Sequence, residues 1–94
     1  MYTAKLVSRI PTHAGLDQAL YRCDPPLEGH QYVVASAADI PGQAFRIYET
    51  YLFPANELGD ITDWGELTGS MKDTLSHEEA FASAGYLIVA GDHK

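Results

Sequence analysis

FRIYETYLFPANELGDITDWGELTGSMKDTLSHEEAFASAGY, residues 45–86, holds the strongest strand pattern, the only tryptophan and the clearest helix of this 94-residue chain. Over 44–53, Phe45, Ile47, Tyr51 and Phe53 fall on one face and Arg46, Tyr48, Thr50 and Leu52 on the other, the period-two pattern of a strand. Ser76-His77-Glu78-Glu79 is a capping box: Ser76 caps a helix, and Glu79, three residues on, reaches back to the Ser76 amide. Two carboxylates in the first turn suit the helix dipole. Gly85 stands where a left-handed C′ residue belongs, with Tyr86 placed to touch Phe81 across a Schellman ending. The helix is expected over about 77–84.

Between strand and helix lies a long connection, about 55–74, with apolar anchors at Leu58, Ile61, Trp64 and Leu67. Loops longer than about 12–15 residues in compact domains are functional or pinned down. The anchors indicate pinning, with Ile61 and Trp64 folded back on the sheet. Pro54-Ala55-Asn56 is expected to end the strand before it.

Working outward, residues 2–10 alternate as a half-buried strand closed by Pro11. A turn or a single helical turn is expected at His13-Ala14-Gly15. Residues 18–23 read as a second strand, closed by Asp24-Pro25-Pro26 because two prolines cannot donate to a ladder. Residues 31–38, apolar on both faces, suit a central strand, followed by a turn at Asp39-Ile40-Pro41-Gly42. Residues 86–90 form a last strand, placed either beyond strand four or against strand one, and 91–94 a tail. The expected fold is a single α+β domain over 1–94, a mostly antiparallel four- to five-stranded sheet packed on one short helix.

Composition bounds the function. Apolar residues make up 46% and aromatics 11%, which suits a packed core and not a disordered chain. The net charge is −7, and the window Glu57–Glu79, with seven acids against Lys72, carries −6 of it. An acidic field opposes direct binding of nucleic acid, which requires cations against phosphates. It suits a basic protein partner, or a solvated face that keeps the protein in solution. Cys23 is the single cysteine, so neither an internal disulfide nor a zinc-type spacing is expected. The first twenty residues lack the pattern of a signal peptide, and no run of about 18 apolar residues occurs. A cytoplasmic setting is expected.

Catalytic motifs are sparse. His77-Glu78-Glu79-Ala80-Phe81 opens like a zinc-protease helix, but Phe81 occupies the second ligand position, so His77 is expected at the surface and no metal is expected. His13, His30 and His93 have no ligand spacing. Asp63 and Glu66 flank Trp64 as glycosidase carboxylates flank an aromatic, on a loop that gives no reason for the fixed separation such a pair needs. Ser70 has no evident base, and Cys23, beside Asp24, no cation to lower its pKa. Glu49 falls on the apolar face of strand four, where an unpartnered carboxylate is costly. It is expected to pair with a neighbouring Tyr, His or Arg, with a role in a ligand site as the alternative. Trp64 is expected as a core anchor, with a binding hot spot as its alternative. The faces bearing Tyr48, Thr50, Leu52 and Val33, Ala35, Ala37 give the sheet more apolar surface than one helix covers, which leaves a homodimer open.

Glu49-Thr50-Tyr51-Leu52-Phe53-Pro54-Ala55-Asn56, then Asp63-Trp64-Gly65-Glu66-Leu67, then Ser76 to Ala80 and Ala84-Gly85-Tyr86, form one ordered set. Over about 44–86 this set resembles small uncharacterised accessory proteins of actinobacterial phages and prophages. The resemblance implies a phage-encoded protein acting in the bacterial cytoplasm; it brings no activity, cofactor or site residue with it. The expectation is a non-enzymatic module, without cofactor, that binds and modulates a host or phage protein through Asp60, Asp63, Trp64, Glu66 and Asp73. Two alternatives stand beside it: an acidic nucleic-acid mimic that blocks a DNA-binding defence enzyme, and a small enzyme or ligand-binding domain centred on Glu49.

Overall fold

The first four strands form an antiparallel meander, with the one helix packed on one of its faces. The computed structural model describes residues 2–12, 16–41, 46–67, 69–72 and 76–89. In chain order they form β1 (Thr3–Ile10), β2 (Leu16–Leu27), β3 (His30–Pro41), β4 (Arg46–Ala55), β5 (Met71–Lys72), α1 (His77–Ser83) and β6 (Leu87–Val89). The sheet runs β5-β4-β3-β2-β1-β6, antiparallel throughout except that β6 lies parallel to β1. The expected α+β architecture is formed. The last strand takes the β1 edge, and the two-residue β5 is added at the other.

The helix ends follow the sequence signals. Ser76 Oγ accepts from the Glu79 amide at 3.1 Å. Gly85 is left-handed at φ +89°, and the Gly85 and Tyr86 amides donate to Ala82 and Phe81 at 3.0 and 2.8 Å, the two bonds of a Schellman motif. Fully buried Phe81 packs at 4.8 Å on the Tyr21 ring. Around it the core gathers Ala4, Ala19, Cys23, Val33, Ala35 and Leu52. On β4 the helix therefore covers the Thr50–Leu52 side, and the Tyr51–Phe53 side, richer in aromatics, faces away.

Three expected strand ends are not ends. β2 continues through Asp24-Pro25-Pro26 to Leu27, with a cis Asp24–Pro25 peptide. The β2–β3 register is broken between Arg22 and Leu27, so the absent proline donors fall where the ladder is already interrupted. The Pro25 carbonyl accepts from Tyr86 Oη at 2.6 Å, tying this segment to the helix end. Pro54 likewise lies inside β4, opposite Val33. Its carbonyl accepts the Thr62 amide from the outer edge, so its nitrogen also faces outward and no bond to β3 is lost. β3 runs on to Pro41, through the residues expected to turn. The β2–β3 hairpin turns at Glu28-Gly29, both at positive φ (48° and 85°), as a two-residue turn requires. His13-Ala14-Gly15, Gly42 and the tail lie outside the described residues.

Leu20 and Val34, paired across β2 and β3, are buried on the face away from the helix. Gly59 lies over Ile10 and Leu20, whose carbons are 3.7 and 3.8 Å from where its Cβ would be. The connection then runs along the outer edge of β4. Ile61 bridges Ala55, the Leu67 amide donates to Leu52 O at 2.8 Å, and Ser70 Oγ accepts from the Leu52 amide at 3.0 Å. An edge that would otherwise expose its amides is thus occupied by the chain itself.

Candidate functional site

The side of β4 away from the helix presents Glu49, Tyr51 and Phe53 at successive alternate positions. Tyr51 Oη donates to Glu49 Oε2 at 2.6 Å, so the carboxylate has the tyrosine partner expected of it. That hydrogen bond, aided by partial burial and by the charges of Glu49 and Glu66, pushes the Tyr51 hydroxyl up to about 12. The Tyr51 ring stacks on Phe53 at 5.9 Å, and Trp64 meets Phe53 edge-on at 5.2 Å. One continuous stripe results, Glu49–Tyr51–Phe53–Trp64, built from β4 and the acidic connection. It joins two places that stand apart in the sequence.

Trp64 is not the core anchor that the sequence suggested: 70% of its surface is exposed. Its backbone sits in a turn closed by Asp63 Oδ1, which accepts the Gly65 amide at 2.9 Å. The side chain is turned outward and meets the Phe53 ring edge-on. Leu58, also expected as an anchor, is 81% exposed. The pinning is done by Gly59, Ile61 and buried Leu67. Asn56 Oδ1 accepts from the Leu58 and Asp60 amides at 2.9 and 3.0 Å, which fixes Asp60 at the start of the connection. Asp60, Asp63 and Glu66 are all exposed. Asp73 lies outside the described residues.

His77 is a second departure. It is buried at 8% exposure and not a surface residue of the first turn. Nε2 is 2.9 Å from the Asp17 carbonyl, which can only accept, so Nε2 carries the proton. Nδ1 then accepts from Tyr21 Oη at 3.1 Å. The Asp17 carboxylate is 3.7 Å from Nε2 and bonded to Arg9 at 3.2 Å. Aspartate, histidine and tyrosine in contact look like a proton relay, but burial raises the Tyr21 hydroxyl and so disfavours the tyrosinate. The group fits a joint that fastens the start of α1 to β2. Nothing local in the sequence signals it, because its partners are 56 and 60 residues away.

Among the described residues no group of three or more His, Cys, Asp or Glu could hold a metal ion, and no helix is long and apolar enough to cross a membrane. Burial pushes the Cys23 thiol up to about 12. Comparison with known proteins returned no match: no protein-family model, curated protein or solved structure matches this chain.

Proposed function

We propose that this chain is a small non-enzymatic interaction module that receives a basic segment of a partner protein on the Tyr51–Phe53–Trp64 stripe. In this reading it is a phage-encoded accessory protein that modulates a host or phage protein in the bacterial cytoplasm. The observation that carries the proposal is the exposure of Trp64 while it is held on Phe53 between Asp63 and Glu66. A tryptophan left in water forgoes burial energy, and its large rigid surface is what dominates binding hot spots. An aromatic face supports the cation of an arginine or lysine, and adjacent carboxylates accept its N–H groups. The engagement of Glu49 by Tyr51 gives that carboxylate a structural part in the stripe.

The test is capture from an actinobacterial host lysate by wild type, Trp64→Ala and Asp63→Lys/Glu66→Lys, all first shown to be folded. The captured protein is then purified and titrated against each variant at low and high salt. Binding lost in both variants and weakened by salt is the expected result. A partner held equally by all three proteins would refute the stripe. Competition by duplex DNA for the same partner would transfer the acidic surface to the nucleic-acid mimic reading.

A further inference from the structure

The two edges of the sheet are finished differently. Along β4 the connection occupies the outer edge and ends in the two-residue β5. At the opposite edge, β6 pairs with β1 alone among the described residues. Leu87-Ile88-Val89 carries no charge, proline or bulge, the devices that blunt an open edge. The Leu87 amide donates to Tyr2 O at 2.9 Å. In the parallel register Thr3↔Leu87, Ala4↔Ile88, Lys5↔Val89, the backbone groups of Leu87 and Val89 therefore turn toward β1. Those of Ile88, N–H and C=O together, turn outward.

The side chains alternate in the same way. Ile88 packs against the core on the helix side, so Leu87 and Val89 lie on the other face, where Leu87 is 54% exposed. Of the five large apolar side chains exposed among the described residues, Tyr2, Val7 and Leu87 belong to this side of the sheet.

We propose that β6 is the contact through which two copies of this chain form a two-fold dimer, their sheets joined edge to edge. A residue with both backbone groups outward can pair with its own copy across a dyad. Ile88 and its copy exchange two N–H···O bonds, which sets an antiparallel register. Leu87 of each copy then stands opposite Val89 of the other, an apolar cross-strand pair formed twice.

Charge also selects this edge. Two chains of net charge −7 repel, and Asp63 and Glu66 lie beside β4, four strand spacings from β6. Around the hollows next to Val89, Lys5 and Arg22 are balanced by Asp24 and Glu57. In the dimer, β4 and its copy are nine spacings apart, four within each copy and one across the dyad. That is about 40 Å, well beyond a Debye length of about 8 Å. The contact is short, so the dimer is weak and dissociates on dilution. It leaves both Trp64 stripes open and does not depend on them.

The test is sedimentation equilibrium of the full chain from micromolar to millimolar concentration, with amide hydrogen exchange read by NMR over the same range. The expected result is a reversible monomer–dimer equilibrium in which the Ile88 amide becomes protected as dimer forms, while the Leu87 and Val89 amides are protected throughout. Leu87→Lys and Val89→Glu, each checked for folding by circular dichroism, are expected to weaken the dimer more than about tenfold. Leu87→Lys/Val89→Glu sets opposite charges directly across the dyad and is expected to recover dimerisation. Failure of the double variant to recover would overturn the antiparallel register. A monomer at every concentration, an Ile88 amide whose exchange does not follow dimer formation, or a dimer unchanged by Leu87→Lys would each overturn the proposal. An Ile88 amide that becomes protected only when the Trp64 partner is added would overturn it in favour of a strand from that partner.

Discussion

Trp64→Ala separates a docking residue from a core residue. Less than a third of the Trp64 surface is out of water, and a fully enclosed aromatic buries about 150–250 Å². The area lost on truncation is therefore about 50–75 Å², worth about 1–2 kcal/mol at about 25 cal/mol per Å². The extended-chain reference makes that an upper value, which leaves room for the modest gain of the edge-on Phe53 contact. A core tryptophan would cost about 3–5 kcal/mol. Urea unfolding monitored by circular dichroism measures the difference. Because Trp64 is the only tryptophan, its fluorescence gives a second reading. Emission is expected close to that of the unfolded chain, with readier quenching by caesium than by iodide, since Asp63 and Glu66 attract the cation. A loss above about 3 kcal/mol, or an indole shielded from both quenchers, would return Trp64 to the core and remove the basis of the proposed surface.

Gly69→Ala should be among the most damaging single methyl additions. Gly69 has φ +107°, and a Cβ would stand 2.7 Å from Ala80 O and 2.9 Å from both Ala84 Cβ and Leu52 Cδ1. The helix must move away from β4, at an expected cost of about 2–4 kcal/mol. Gly29→Ala, at φ +85° with nothing within 4 Å of the new carbon, isolates the backbone share at about 1 kcal/mol, and equal melting temperatures for the two variants would refute the packing argument. Cys23, buried and with its thiol raised to about 12, should resist an aromatic disulfide reagent at neutral pH until the chain unfolds; rapid labelling of the native protein would contradict its place under the helix. Tyr51 should titrate near 12 and not near 10, read by tyrosinate absorbance. Its folded value lies above the unfolded one, so the Glu49 bond stabilises fully below pH 10 and is lost as the pH rises toward 12. Glu49→Gln should lower the titration and remove that alkaline loss of stability, and an unchanged titration would deny the bond.

What the sequence made legible is what is local. The Ser76 cap, the Gly85 ending and the alternation of β4 are set by residues within a few positions of one another, and they form as read; the alternation expected of β1 is broken by a bulge at Val7, which leaves Leu6 on the helix side and turns Ile10 to the opposite face beside Leu20. The prolines misled, because their cost depends on where the missing N–H would have pointed. At Pro54 it faces away from β3, and at Pro25-Pro26 the ladder is already open. The Glu28-Gly29 turn lacked the Asn-Gly or Asp-Gly signature that usually announces such a hairpin. Which face of β4 the helix would cover was not legible either. Tyr51 and Phe53 are the larger side chains, but small Thr50 lets the helix side close tightly beside Leu52, and the aromatic side is left for the connection. His77 and Trp64 exchanged their expected places for the same reason: each is decided by a partner far along the chain.

The acidic connection matters to binding because of how it is fastened. A free loop carrying an exposed tryptophan would have to be ordered by its partner, and backbone ordering costs roughly 1–2 kcal/mol for each residue fixed. Here Gly59 rests on Ile10 and Leu20, Ile61 bridges Ala55, the Thr62 and Leu67 amides bond to β4, and Asp63 closes the turn around Trp64. Those contacts also cover Leu20 on the second face of the sheet and occupy the β4 edge. The same residues thus complete the fold and fix the stripe beforehand, so a partner meeting Trp64 pays chiefly for the indole's own two torsions. Loosening the pins without touching the stripe should therefore weaken binding as surely as removing the ring. Asn56→Ala, which removes the acceptor of the Leu58 and Asp60 amides and leaves Tyr51, Phe53, Asp63, Trp64 and Glu66 in place, should raise the dissociation rate for the captured partner. If that rate stayed at the wild-type value while Trp64→Ala abolished binding, the ring alone would carry recognition and its fixed presentation would contribute nothing.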